Sequence, residues 1–306
     1  MCAALVAGLA LPVAGQATVT IGSDLNRQPT NAANRVLTVA IESLPPAIRM
    51  PEGVHSPVNG TVTAWRIRTS PTGLPAPTSL KVVRPLGAGT FTGAGAAPPV
   101  VPTPGVISAF AAQLPISIGD RIGIDCLCSP TASGSYFLND ETARALFWQP
   151  LLVDGGPGRA PGGPDFPDAD LDAELALQAD IEPTSVVEIE KIKRRKNGKL
   201  RLTVNLPNPG TLVAGDKRDS KTGASAAAKE AGKKKKLLKR ETIEVGAPGE
   251  VTFTLKATKT ARKRLKAKSA RTGKRKVKIK AKLRLAFTPA FGTTPGIETE
   301  KTKLKR

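Results

Sequence analysis

The side chains best suited to catalytic or metal chemistry are scarce in this 306-residue sequence, which contains one histidine and three cysteines. A Ser-His-Asp site or a histidine general base would have to use His55. His55 lies in Glu52-Gly-Val-His-Ser-Pro57, a loop-like stretch, so we favour a surface histidine. We therefore predict a protein without catalytic residues and without enzymatic activity.

Cys126 and Cys128 are separated by one residue on a predicted strand. Their side chains would share a face, but a bond between positions i and i+2 of a strand is strained. We favour two buried thiols, and a disulfide formed after export remains open. Two thiols without histidine partners are too few for a structural zinc site.

Asp168, Asp170 and Asp172 offer carboxylates at alternate positions, as at the start of a calcium-binding loop. Ala173 stands where such a loop needs its turn glycine, and Ala179 stands where it needs a bidentate carboxylate. We favour a solvated acidic loop. The sequence thus predicts neither a metal nor a cofactor.

Three aromatic residues, Trp65, Tyr136 and Trp148, would form a sugar-stacking platform if they were exposed. Residues 62–67 alternate in polarity, so Trp65 fits a core position equally well. Aromatic side chains of this kind are more often buried. A carbohydrate-binding module is accordingly an alternative hypothesis for the first half of the chain.

A change of composition divides the chain near Ala179-Asp-Ile-Glu-Pro-Thr-Ser185. Residues 1–183 contain 10 Lys and Arg against 15 Asp and Glu, whereas residues 184–306 contain 36 against 10. Pro183 restricts Glu182 to extended backbone and suits the end of a strand. We predict a mildly acidic domain over 18–183 and a basic domain over 184–306.

Residues 1–17, MCAALVAGLALPVAGQA, form a short apolar run that ends in small residues. Gly15 and Ala17 occupy positions −3 and −1 of a cleavage site, which is the layout of a secretory signal peptide, here without a charged start. The run is too short to span a bilayer. We expect export, an extracellular or cell-envelope location, and no membrane span.

Short strands between Gly/Pro-rich turns are predicted across the first domain. They cover residues 36–42, 61–68, 79–84, 106–111, 121–127, 145–148 and 174–181. This pattern predicts an all-β fold with a jelly-roll-like β-sandwich. The Gly/Pro-rich stretch 155–172 is predicted to be a long mobile loop.

The second half carries a sharper alternation. In residues 276–287, KVKIKAKLRLAF, apolar side chains would face one way and cations the other. Asn197-Gly198 predicts a hairpin turn, residues 260–268 a short basic helix, and residues 220–236 a flexible loop. Together these features predict a lysine-rich immunoglobulin-like β-sandwich.

Several segments resemble those of a group of secreted two-domain β-sandwich proteins of actinobacteria. They are Thr20-Ile-Gly-Ser-Asp-Leu25, Gly119-Asp-Arg-Ile-Gly-Ile-Asp125, Phe147-Trp-Gln-Pro150, Ala179-Asp-Ile-Glu-Pro183, Leu206-Pro-Asn-Pro-Gly-Thr-Leu212 and residues 276–289. The chain departs from the group in lacking its Asp/Gly-rich segment after the Glu-Pro step and its paired N-terminal cysteines. The resemblance implies export and β architecture, and it brings no known catalytic residue.

The cations of the second half predict a surface for anionic cell-envelope polymers or glycans. The candidate residues are Lys276, Lys278, Lys280, Lys282 and Arg284 on one strand, with Lys233, Lys234, Lys235 and Lys236 as a cationic arm. A solubility coat is the competing interpretation. A nucleic-acid binder is disfavoured, because residues 184–306 contain no Tyr or Trp for stacking and a signal peptide removes the chain from the cytoplasm. We predict a secreted structural or adhesion protein, and the sequence indicates no oligomeric state.

Overall fold

The computed structural model describes residues 18–72, 76–129, 134–163, 170–216 and 236–306. The chain is all-β, with five antiparallel sheets and, within the described residues, a single α-helix. The predicted signal peptide and residues 220–235 of the predicted loop lie outside the described residues. The strands are β1 (Val19–Gly22), β2 (Asn31–Ala33), β3 (Val36–Ser43), β4 (Gly60–Arg68), β5 (Thr78–Gly87), β6 (Thr90–Ala96), β7 (Ile107–Ile116), β8 (Arg121–Leu127), β9 (Gly134–Asn139), β10 (Arg144–Trp148), β11 (Asp170–Leu171), β12 (Ala173–Leu175), β13 (Leu177–Pro183), β14 (Glu188–Arg194), β15 (Leu200–Leu206), β16 (Gly210–Asp216), β17 (Glu241–Val245), β18 (Gly249–Leu255), β19 (Lys278–Pro289) and β20 (Gly296–Lys305).

The first three sheets, which we call the N-terminal sheets, use residues 19–183. Their strand orders are β1-β13-β4-β7, β11-β10-β3-β8-β5-β6 and β12-β9-β2. Alternating side chains from these strands meet in one apolar cluster that includes Val39, Trp65, Ile67 and Ile124. Burial of this cluster is the main stabilising contribution, at roughly 25 cal/mol per Å² of apolar surface.

The predicted mobile loop is hydrogen-bonded to the six-stranded sheet in the part that the structure describes, and its mobility stays a prediction. Phe91 and Arg159 exchange two backbone hydrogen bonds of 2.9 Å, and the Gly155 N–H donates to the Gly93 carbonyl at 2.8 Å. Leu152 and Trp148 pack with Phe91 in a separate small core on the outer face of the six-stranded sheet. Apolar residues on that face therefore hold the loop down, which its Gly/Pro content did not reveal.

The other two sheets, the C-terminal sheets, use residues 188–305 in the orders β14-β15-β18 and β17-β16-β19-β20. Their second apolar cluster contains Leu202, Val204, Leu285 and Phe287, as the period-two alternation predicted. The Asn197-Gly198 turn is confirmed, since both residues have positive φ (59° and 71°) and join the paired strands β14 and β15.

Helix α1 (Lys259–Thr272) extends the predicted basic helix by about one residue at its start and four at its end. Thr258 caps it, because its hydroxyl accepts the Ala261 N–H at 3.2 Å. Gly273 ends it in the left-handed conformation, with φ 63°. Ala261 and Leu265 are buried in the second cluster, so α1 presents its cationic residues outward.

Asn59 and Asn208 connect the two groups of sheets. The Asn208 side chain accepts the Asn59 N–H at 2.7 Å and donates to the carbonyls of Asn59 (2.9 Å) and Thr184 (2.7 Å). Asn208 is fully buried. A side chain with three satisfied hydrogen bonds at a buried position fixes the backbone around Pro183.

We predict that Asn208→Ala loosens this junction. Removal of the side chain leaves the Asn59 N–H without its acceptor and the Thr184 carbonyl without its donor, at a cost of about 1–3 kcal/mol. Hydrogen–deuterium exchange should accelerate at the amides of Asn59 and Thr184 and stay unchanged in β19. Unchanged exchange at Asn59 and Thr184 would show that the junction does not depend on this side chain.

Candidate functional site

The predicted cationic strand face is present on β19. Lys276, Lys278, Lys280 and Lys282 are exposed, and Arg284 is half-buried. Between them Val277, Ala281, Leu283 and Leu285 are buried. The only departure is at the start, because the strand begins at Lys278 and Lys276 precedes it. Side chains at alternate positions lie about 6–7 Å apart along the strand.

The neighbouring strand β20 doubles this row. Its register places Lys305 opposite Lys278, Lys303 opposite Lys280, and Lys301 opposite Lys282. Directly opposed residues of an antiparallel pair share a face, with Cβ atoms about 4.5–5.5 Å apart. We call these three facing pairs the lysine ladder.

The lysine ladder is electrostatically unfavourable by itself. Like charges directly opposite each other destabilise a sheet. Within the described residues no carboxylate lies within 4.0 Å of a ladder ammonium group. The fold thus places six cations side by side, and none of them has a carboxylate partner among the described residues.

Cations of the N-terminal sheets are arranged differently. Arg66 bonds Asp180 through two contacts of 3.0 and 2.6 Å, and Arg84 bonds Asp120 through contacts of 2.9 and 2.7 Å. Hydrogen bonds from Thr142, followed by one from Arg27, lower the pKa of Asp140 to about 2. The contrast shows that this chain can pair its charges, whereas the lysine ladder has no such pairs in the part of the chain that the structure describes.

The predicted cationic arm lies mostly outside the described residues, which exclude Lys233, Lys234 and Lys235. Lys236 is exposed, and its carbonyl accepts the Thr258 hydroxyl at 2.8 Å. This bond sets Lys236 beside the start of α1.

The alternative hypothesis of an exposed aromatic platform is wrong, because all three candidate side chains belong to the core. Trp65 is 1% exposed and Tyr136 and Trp148 are 0% exposed. The Trp65 ring packs 4.8 Å from that of Phe110, and Trp148 donates to the Arg159 carbonyl at 3.3 Å. The Tyr136 hydroxyl is bonded to Thr78 at 2.6 Å. These rings offer no face to a sugar, so the stacking alternative loses its residues.

The other chemistry-bearing side chains form no catalytic or metal arrangement within the described residues. His55 is exposed, and no hydrogen bond joins its ring to a described serine or carboxylate. Cys126 and Cys128 are buried with their sulfur atoms adjacent, as in a disulfide pair, so the open alternative of an oxidised pair stays a prediction. No group of three His, Cys, Asp or Glu residues in the described ranges is arranged to hold a metal ion.

One buried ion cluster was not predicted. Lys81 is 3% exposed, and its Nζ lies 3.2 Å from Asp125 Oδ2 and 2.7 Å from Asp154 Oδ1. The Thr38 hydroxyl donates to Asp125 at 2.5 Å. Burial raises the pKa of Asp125 in spite of these contacts. The cluster ties β5 and β8 to the loop that covers them, so its role is structural.

Comparison of the chain with protein-family models, with curated proteins and with solved structures gives no match. Within the described ranges, no helix is long and apolar enough to cross a bilayer. A functional proposal for this protein therefore depends on its own surface, above all on the lysine ladder.

Proposed function

We propose that this protein is a secreted or cell-envelope-associated structural or adhesion protein, without enzymatic activity, that binds anionic envelope polymers through the lysine ladder. The proposal includes an N-terminal jelly-roll-like sandwich and a basic immunoglobulin-like sandwich as its two domains. Support for export comes from the apolar run of residues 1–17. The observation that carries the binding proposal is the set of three facing lysine pairs without described carboxylate partners.

The spacing of the lysine ladder suits a repeating anion. Two columns of ammonium groups, about 6–7 Å apart along each strand, create a positive potential over a flat sheet face. A polymer with phosphate or uronate groups can contact several of them at once. Such contacts offset the repulsion within the ladder, which no described side chain does.

Lysine determines the kind of binding that we expect. Its ammonium group is a compact point charge on a flexible stem and favours loose attraction over bidentate recognition. Binding would therefore depend on the density of negative charge rather than on a particular sugar. This property fits attachment to a cell wall better than selection of one small ligand.

Salt should release the full chain from purified cell wall. Exposed charges are screened over about 8–10 Å near physiological ionic strength, so retention should be high at low sodium chloride and fall continuously as salt rises. The measurement is the bound fraction across a sodium chloride series, with cell wall stripped of its anionic polymers as the control matrix.

Two outcomes would contradict the proposal. Absence of retention at low salt, or retention indifferent to salt, would leave the lysines as a solubility coat. Stronger retention on DNA than on cell wall would instead assign the surface to nucleic acid, and for that reason a DNA matrix belongs in the same series.

A further inference from the structure

A second cationic region lies between α1 and the turn that joins β14 to β15. A cleft of about 460 Å³ opens there, and it is bordered by Asn197, Lys259, Arg262, Lys263, Leu265, Lys266 and Arg306. We call it the α1 cleft. An adjoining depression of about 770 Å³ shares Asn197 with the α1 cleft. It is also bordered by Arg195, Lys196, Lys199 and Arg201. None of the described residues that line either one is an aspartate or a glutamate.

Helical spacing brings four of these cations together. Lys259, Arg262, Lys263 and Lys266 stand at positions i, i+3, i+4 and i+7, which lie on one face of a helix. Leu265, 2% exposed, contributes an apolar wall. Arg306, the residue after β20, borders the cleft, and its N–H donates to the Val277 carbonyl at 3.1 Å.

This arrangement of cations destabilises α1. Lys259 and Lys263, like Arg262 and Lys266, are like-charged pairs at i and i+4, which destabilise a helix. The first turn contains no acidic residue and begins with Lys259, although the positive end of a helix favours anions. Within the described residues no carboxylate pairs with Arg262 or Arg306. An external anion would relieve all three unfavourable features.

We propose that the α1 cleft binds a phosphate group of the anionic polymer. The polymer part of this inference rests on the proposed function, whereas the binding of phosphate does not. One guanidinium fork satisfies the two oxygens of a carboxylate, while a phosphate can accept from several donors at once. A cleft with two guanidinium groups and three ammonium groups therefore suits phosphate better than a single carboxylate.

The α1 cleft borders one end of the lysine ladder, on the opposite face of the sheet, because Arg306 stands opposite the buried Val277. Arg306 directly follows Lys305, the last lysine of the ladder, and the stretch from Lys301 to Arg306 spans about 16 Å at the rise of a strand. β20 is the edge strand of its sheet, so a polymer whose phosphate is held in the cleft would pass around this edge to reach the ladder. The cleft would act as the selective end of an otherwise unselective surface.

Titration of the full chain with inorganic phosphate tests the site. At constant ionic strength, calorimetry should show saturable binding of phosphate and none of acetate. The variant Arg262→Gln with Arg306→Gln should bind phosphate at least about tenfold more weakly, the expected loss for two charge-assisted contacts. Arg240→Gln with Arg271→Gln removes the same charge from exposed residues outside the cleft and should bind as the wild type does.

Equal phosphate affinity in all three proteins would contradict the proposed phosphate site. Binding of acetate as tight as that of phosphate would contradict it as well. All four substituted arginines are exposed, so each variant should stay folded, and a cooperative melting transition in each excludes misfolding as a cause. If the wild type binds phosphate but is not retained on cell wall, the site stands and the proposed function fails. If cell wall retains the wild type and the cleft variant equally, and phosphate does not bind, the proposed function stands and the site fails.

Discussion

Lys81→Met is expected to lower the free energy of unfolding by about 3–5 kcal/mol at neutral pH, the usual cost of removing one partner of a buried ion pair. Lys81 is almost fully buried between Asp125 and Asp154. Asp154 can turn to water, because 47% of its side chain is exposed. Asp125 cannot, since it is 8% exposed, so its carboxylate would stay buried without a cation.

The loss should depend on pH. Burial raises the folded-state pKa of Asp125 above its unfolded value of about 3.9, so the stability linked to this group is complete below that value and is lost as pH rises through the folded pKa. Lys81 lowers the pKa of Asp125, and the methionine variant should therefore raise it further. The difference in unfolding free energy between the wild type and Lys81→Met should therefore shrink on acidification toward pH 4.

Urea unfolding at pH 7 and near pH 4 measures both effects. The matched control is Lys81→Met combined with Asp125→Asn, which removes the buried charge and keeps an acceptor for the Thr38 hydroxyl. This double variant should recover much of the loss at pH 7 and show little dependence on pH. A deficit below about 1 kcal/mol, the same at both pH values, would mean that the cluster does not stabilise the sheet.

Alternation of apolar and polar residues along the sequence predicted several strands and the side chains that they bury. Strand β8 has the predicted bounds, and the predicted inward face of β19 is buried at Ala281, Leu283, Leu285 and Phe287 and half-buried at Ile279. The predicted strand over residues 174–181 divides at Ala176 into β12 and β13, which join different sheets. Strands β1 and β2 were missed because they have only four and three residues, and β6 and β9 because they contain Gly, Ala, Ser or Asn, which are uncommon in strands or carry little strand preference.

Long-range contacts explain the remaining differences. The second column of the lysine ladder was visible as alternation in Lys301-Thr-Lys-Leu-Lys305, but its register against β19 depends on strand pairing. The positions of Lys81 and Trp148 depend on a loop that covers the outer face of a sheet. No local pattern indicates which face a distant loop will cover.

The lysine ladder is expected to carry most of the affinity for the cell wall. Replacement of Lys276, Lys278, Lys280 and Lys282 by glutamine removes one column and keeps side-chain length. The bound fraction at low salt should fall by about tenfold or more, because each lost contact with a polyanion also removes a released counterion. Arg284 and the three lysines of β20 remain in this variant, so weak, salt-sensitive binding should persist.

Folding should not suffer in this variant. Three facing like-charge pairs are relieved, each worth about 0.2–1 kcal/mol, so the melting temperature should stay the same or rise. A loss of binding with undiminished stability separates function from structure. A lower melting temperature would instead indicate that the lysine stems stabilise the sheet.

The most direct measurement compares this variant with a control of equal charge on purified cell wall at low salt. The control replaces Lys191, Lys193, Lys239 and Lys256, which are exposed and lie outside the lysine ladder and the α1 cleft, by glutamine. The prediction is that the control is retained like the wild type, while the ladder variant appears in the unbound fraction. Equal retention of both variants, or equal loss from both, would contradict it, since the position of the lysines on β19 would then be irrelevant.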